Sequence, residues 1–154
     1  MFETRVKRTD LPANSLLHKR LQSGDFLDCF SVASDLPPRR AAEIITAFPT
    51  WATALVRLRG QLVAPFGISK TGPDASDNLG IFPVEHDDET EVIAGFNDRH
   101  LDFRVCVHSE NGRVSLATWV HRHNLGGRLY LALILPFHIL IARNALARVR
   151  HAST

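Results

Sequence analysis

From Leu129 to Ala142 the chain is apolar at every position except Pro136 and His138, and no other stretch restricts its fold as much. As an α-helix these fourteen residues cover about 21 Å, short of the roughly 30 Å hydrocarbon core of a bilayer, and a histidine near the middle is costly in lipid. No transmembrane segment is therefore expected. The run reads instead as the centre of a helix from about Gly126 to Arg150, buried on most sides. Such a helix needs other elements wrapped around it. Pro136 removes one backbone hydrogen bond and is expected to kink the helix, so that it follows a curved sheet. Its tail carries Arg143, Arg148 and Arg150, cations that the negative end of a helix dipole favours.

With 154 residues, 45% of them apolar, the chain is large enough for one core and needs neither disulfides nor a structural metal to hold it. Cys29 and Cys106 lie singly in strand-like apolar runs, and the charged start has no signal-peptide core. A reducing cytoplasm is the expected location. Eighteen basic residues against sixteen acidic ones leave a formal charge of +2, too slight a bias for nucleic-acid binding through counterion release. No repeat, cofactor motif or catalytic signature is present, so no cofactor is expected.

Residues 1–24 read as an irregular arm, because Pro12, Asn14 and Gly24 interrupt any period, and residues 25–150 as a single domain. A first strand runs from Asp25 to Ala33, with Asp28 on the same face as Phe26 and Phe30. Pro37 and Pro38 open a helix whose stripe is Ala41, Ile44, Ile45 and Phe48. Pro49 stops it and opens a second helix with the stripe Trp51, Leu55, Leu58 and Leu62, so the two form a corner. Ser69 to Gly80, rich in Gly, Pro, Asp and Ser, is a loop. The period then changes to two over Ile81–Val84, Glu91–Phe96, Leu101–His108 and Arg113–His121. In the third of these, Leu101, Phe103, Val105 and Val107 form one face and Asp102, Arg104, Cys106 and His108 the other. Asn111-Gly112 supplies a hairpin turn, and the short connections make the strands antiparallel neighbours. The expected fold is α+β, a five-stranded antiparallel sheet around a long C-terminal helix.

This order is similar to the helix-grip fold of the START and birch-pollen-allergen superfamily, and the chain resembles a bacterial family of uncharacterised proteins within it. The resemblance lies in Asp25-Phe26-Leu27-Asp28, in Leu58-Arg59 leading to Pro65-Phe66-Gly67, in His100 to Arg104, and in His121-Arg122-His123-Asn124 through Tyr130 to Pro136-Phe137-His138. It implies a cavity between sheet and terminal helix that holds an apolar ligand, with enzymes in a minority of branches. Five strands are fewer than the seven of the fullest members, which implies a reduced cavity.

Three groups of residues carry the candidate chemistry. His100, Asp102 and Arg104 share a strand face, with Asp102 and Arg104 close enough for a lateral ion pair; if that face meets the cavity, they converge with Asp28 as a catalytic set. The alternation places that face outward, since Leu101, Phe103 and Val105 are the natural core side. His121, His123 and Arg128, with Arg59 as a further partner, surround a helix entrance whose first turns contain no acid, a place for an anion. The alternative there is an Asn124 cap with the basic groups paired to acids such as Asp87, Asp88 or Glu91. His121 and His123 lack the accompanying ligands of a metal site, and none is expected. Trp119, Tyr130, Phe137, Phe66 and Phe82 line either a ligand pocket or the core.

The sequence therefore favours a domain that binds a small apolar or amphipathic molecule between sheet and helix. One alternative is an enzyme of cyclase, dehydratase or hydrolase type using His100, Asp102 and Arg104. Another is a homodimer, the terminal helix burying its outer face against a second copy.

Overall fold

The structure is a computed structural model and describes residues 5–47, 77–79, 82–98 and 100–152. The β-branched and aromatic alternation produces the strands where it is longest. Strand β1 is Lys7–Arg8, β2 is Phe26–Ala33, β3 is Asn78–Leu79 and β4 is Phe82–Asp87. Strand β5 is Glu91–Asn97, β6 is Leu101–Glu110 and β7 is Arg113–Arg122. All neighbours are antiparallel, in the order β1-β2-β7-β6-β5-β4-β3. Asn111 and Gly112 take φ of 54° and 75°, the two left-handed residues that a tight β6–β7 hairpin needs. The described residues thus contain seven strands rather than five. The two additional ones span two residues each, too short for alternation to be visible in sequence.

Helix α1, Pro38–Thr46, starts on the expected prolines and buries Ala41, Ala42 and Ile45. The expected second helix of the corner, with Pro49 and Trp51 to Leu62, lies outside the described residues, as do Phe48, Phe66 and Arg59. Of the expected loop Ser69–Gly80, the described part includes β3, which pairs with β4.

Helix α2, Leu125–Ala152, runs unbroken through Pro136. One face of the sheet holds Phe30, Val32, Val92, Val107, Val114 and Leu116, and these meet α1 and the stripe Ala142, Ala145, Leu146 and Val149 of α2. Nearer the start of α2, Leu131 and Tyr130 pack with Leu101, Val120, Phe26 and Phe103. A curved antiparallel sheet clasping a long terminal helix is the helix-grip arrangement. Arg148 of the basic tail donates to the Ile44 and Ala47 carbonyls, 2.7 Å each, and so closes the C-terminus of α1 rather than only its own helix.

Two expectations about burial are corrected. Helix α2 is not covered on most sides: Leu125, Leu129, Leu133, Phe137 and Leu140 stand on its outer side, from 45% exposed at Phe137 to 70% at Leu125. By length and composition alone it passes for a membrane span, yet its other stripe packs on the sheet. Nor is the polar side of β6 solvated. Because successive strand residues alternate, Cys29, Ile93, Cys106, Ala117 and Trp119 form the second face of the sheet, and Leu11 and Leu17 of the N-terminal arm cover it. The arm is ordered by β1 and by a 3-10 turn, Leu16–Lys19, capped where the Leu17 amide donates to Ser15 Oγ at 3.2 Å.

Candidate functional site

Between the two apolar clusters along α2 no helix residue is fully buried. Leu131 and Ala142 are buried, but every residue from 132 to 141 is half-buried or exposed. Opposite this stretch, β2 places Asp28 between Phe26 and Phe30, on the helix side of the sheet, with its Cα partner Thr118 on β7 and Val105 beyond it on β6. Asp28 has only 3% of its side chain exposed. Its Oδ2 accepts a hydrogen bond at 3.0 Å from Nε2 of His138, the one polar side chain inside the apolar run of α2. Its Oδ1 is equally buried and has no hydrogen-bond partner among the described residues. Half-buried apolar groups border the two clusters: Phe82, Val84, Val105 and Ile139 beside one, Phe26, Phe103 and Tyr130 beside the other. Phe82 and Phe103 meet edge to face at 5.6 Å. A buried carboxylate, oriented by an imidazole and bordered by apolar surface, can accept a further hydrogen bond from an amphipathic molecule.

The four catalytic candidates are not brought together. Asp28 lies on the helix side, whereas Asp102 and Arg104 lie on the face covered by the arm. Nor do Asp102 and Arg104 pair with each other, because each is held by another partner, two strands away on β4 or in the segment after β7. Asp102 Oδ1 accepts from His123 Nε2 at 2.9 Å, and Arg104 is bound to Glu85 of β4. His100 precedes β6 and contacts Asn124 through Nδ1. At the entrance to α2, Asn124 Oδ1 accepts from the Gly127 amide at 3.0 Å, which satisfies one of the donors that an anion would meet. His121 is held by Asp25 rather than by Asp87, Asp88 or Glu91, and Arg128 is exposed. Among the pocket aromatics, Phe82 and Tyr130 stand on the helix side, Phe137 stands on the outer side of α2, and Trp119 is buried beneath the arm.

The residue missing from the sequence-derived site is His138. Its signal was present, a lone histidine in an apolar run, but its partner is 110 residues away. The partners of Asp25 and Glu91 are likewise distant in sequence, 96 and 76 residues away. Asp25 accepts from Nδ1 of His121 at 2.6 Å and from the Trp119 indole at 2.8 Å. Burial by itself pushes the Asp25 carboxyl up, but hydrogen bonds from His121, Trp119 and the Gln22 amide outweigh it and hold the group below the ordinary carboxylate range. Glu85 behaves alike, burial opposing its bonds to Arg20 and Arg104, with the net direction downward. A carboxyl depressed in the folded state adds stability above its unfolded pKa and loses it as pH falls through the folded one. We therefore expect stability to fall below about pH 4, and Asp25→Asn to give a shallower acid limb with about 1–2 kcal/mol less stability at neutral pH. Urea unfolding across this range measures it; an unchanged acid limb rejects the assignment.

Compared with known proteins, residues 20–145 match the family model described as "Protein of unknown function (DUF2867)". No curated protein and no solved structure matches the chain.

Proposed function

The chain belongs to the DUF2867 family of proteins of unknown function, and from that premise we propose that it binds a small apolar or amphipathic molecule between the sheet and α2. The observation that carries this reading is the buried Asp28 carboxylate, with one oxygen on His138 and one unpartnered among the described residues, facing a stretch of α2 that is itself incompletely buried. A folded chain rarely leaves such an acceptor dry without a use, because its desolvation costs about 1–3 kcal/mol. The helix-grip topology supports the same reading, since START and birch-pollen-allergen-like proteins hold apolar ligands in this place. Phe82, Phe103 and Tyr130 then supply apolar wall and His138 orients the carboxylate. Binding is preferred to turnover because the polar groups of β6 lie across the sheet from Asp28 and are occupied with one another's neighbours. Two free, buried thiols, Cys29 and Cys106, support a cytoplasmic location.

Native mass spectrometry of protein purified without detergent, followed by organic extraction, tests the reading. The expected result is a mass above that of the chain and release of one organic compound. A bare chain mass that does not change on incubation with apolar alcohols overturns it. The same spectrum bears on a second reading favoured by the outer leucines and Phe137 of α2: a dimer mass supports an interface between copies along that stripe, and a monomer mass removes it.

A further inference from the structure

We infer that the outer side of α2 is a membrane-docking surface, on which the helix lies in the plane of a bilayer that contains anionic lipid. The inference concerns the side of α2 turned away from the sheet and does not depend on what is bound between the two.

Leu125, Leu129, Leu133, Phe137 and Leu140 follow one another at intervals of three or four residues and so form a single stripe, about 22 Å long at the helical rise. Each is at least 45% exposed. The exposed residues between them, Ala132 and Pro136, are hydrocarbon too, so from Leu129 to Leu140 the outer side presents no side chain that donates or accepts a hydrogen bond. A protein partner normally forms about one hydrogen bond per 100–200 Å² of interface, whereas the acyl region of a bilayer asks for none. Charge then selects the kind of bilayer. Arg128 lies three residues after Leu125 and Arg143 three after Leu140, which puts both on the outer side, where both are exposed. Neither has a carboxylate partner among the described residues, and Arg143 lies over the Phe30 ring at 5.3 Å. Residues 111–154, which include all of α2, contain no Asp or Glu. An apolar stripe bracketed by arginines without acids suits a helix at a bilayer interface, its leucines in the acyl boundary and its guanidinium groups on headgroup phosphates. It lies on the surface rather than spanning, because Ala142, Ala145, Leu146 and Val149 hold its other side on the sheet. A second copy is the competing occupant. Two stripes packed along their length would gather four arginines into one interface with no acid from either helix, and like charges there oppose association. An anionic surface is attracted by every one of them.

Co-sedimentation with two kinds of vesicle provides the test, one of phosphatidylcholine alone and one in which about a third of it is replaced by phosphatidylglycerol. The wild-type chain is expected to bind the mixed vesicles about tenfold or more tightly than the neutral ones at low salt, and to lose that advantage as salt is raised. Arg128→Gln and Arg143→Gln should each weaken binding to the mixed vesicles about fivefold. Leu133→Asp combined with Phe137→Asp should abolish it. These four side chains are exposed, so the core is untouched, and circular dichroism checks that each variant folds. Should the double variant not fold, the wild-type ratio between the two vesicles and its salt dependence decide by themselves. No sedimentation with the mixed vesicles overturns the inference, as does equal binding to both kinds. Binding that survives Leu133→Asp with Phe137→Asp also overturns it, since another surface then meets the lipid. Light scattering reads the competing occupant: a wild-type dimer that the same double substitution splits into monomers assigns the stripe to a second copy and overturns the membrane assignment.

Discussion

Replacing Glu91 by alanine is expected to lower the stability of the chain by about 3 kcal/mol and to release the N-terminal arm. Glu91 is 2% exposed, and its carboxylate serves three donors. Oε2 accepts from Ser15 Oγ at 2.8 Å and from the Cys106 thiol at 3.1 Å, while Oε1 accepts from the Leu16 amide at 2.7 Å. Two opposing effects must be weighed. Removing a buried carboxylate relieves its own desolvation, and a well-packed apolar replacement of the same size can be neutral. Alanine is not that replacement. It leaves a void and strands three donors, of which the Leu16 amide is fixed by the 3-10 turn and cannot rotate towards water. The loss therefore dominates. Glu91→Gln keeps one oxygen for the Leu16 amide and is expected to cost about 1 kcal/mol. Urea unfolding measures both. Thiol labelling measures where the change falls: burial, followed by the adjacent Glu91 carboxylate, pushes the Cys106 thiol well up, and in the alanine variant a loosened arm should make it reactive. If both variants unfold within about 0.5 kcal/mol of the wild type, the carboxylate does not hold the arm.

This contact also marks where the sequence stops being readable. The alternation on β6 correctly places Leu101, Phe103, Val105 and Val107 towards the helices, and the turn chemistry of Asn111-Gly112 correctly closes the hairpin, because both are local signals. The cover over Cys106 and Trp119 is not local. It is made by Leu11 and Leu17, isolated leucines with no period, tied to an acid 76 residues from Ser15. A polar strand face therefore reads as solvated although a layer of chain lies on it. The site divides in the same manner. Asp28 sharing a face with Phe26 and Phe30 follows from a period of two, and His138 is conspicuous in its apolar run. That the two meet depends on the rotation of α2 about its axis, which is decided by the small residues Gly127, Ala142 and Ala145 at its contacts. Two residues apart on one strand face, Asp102 and Arg104 read as each other's partners, yet Glu85, two strands away on β4, and His123, just past β7, hold them instead.

Gly127→Ala should lower stability by about 2 kcal/mol, although alanine in a helix is ordinarily preferred over glycine by about 1 kcal/mol. The reason is the clasp between α2 and the sheet. A Cβ at position 127 would sit 2.3 Å from the carbonyl oxygen of His100, and this is backbone that cannot swing aside, since the same oxygen accepts from the His123 amide at 3.0 Å. The start of α2 must retreat by roughly 1 Å to reach an ordinary contact. Retreat loosens Leu131 from Leu101 and Val120, the apolar cluster that closes one end of the candidate site. Gly126→Ala is the internal control. Its Cβ would meet Asn124 Oδ1 at 3.2 Å and His100 Nδ1 at 3.3 Å, both ends of side chains able to shift by a few tenths of an ångström. Propensity then decides, and this variant is expected to match or exceed the wild type by up to about 1 kcal/mol. Thermal and urea unfolding of the pair read the difference directly. The contrast between adjacent glycines excludes an explanation through helix propensity, which is the same for both. If Gly127→Ala is as stable as Gly126→Ala, α2 is not held against β6 by backbone contact. The wall of the site then has enough freedom that the Asp28–His138 geometry no longer defines where a ligand sits.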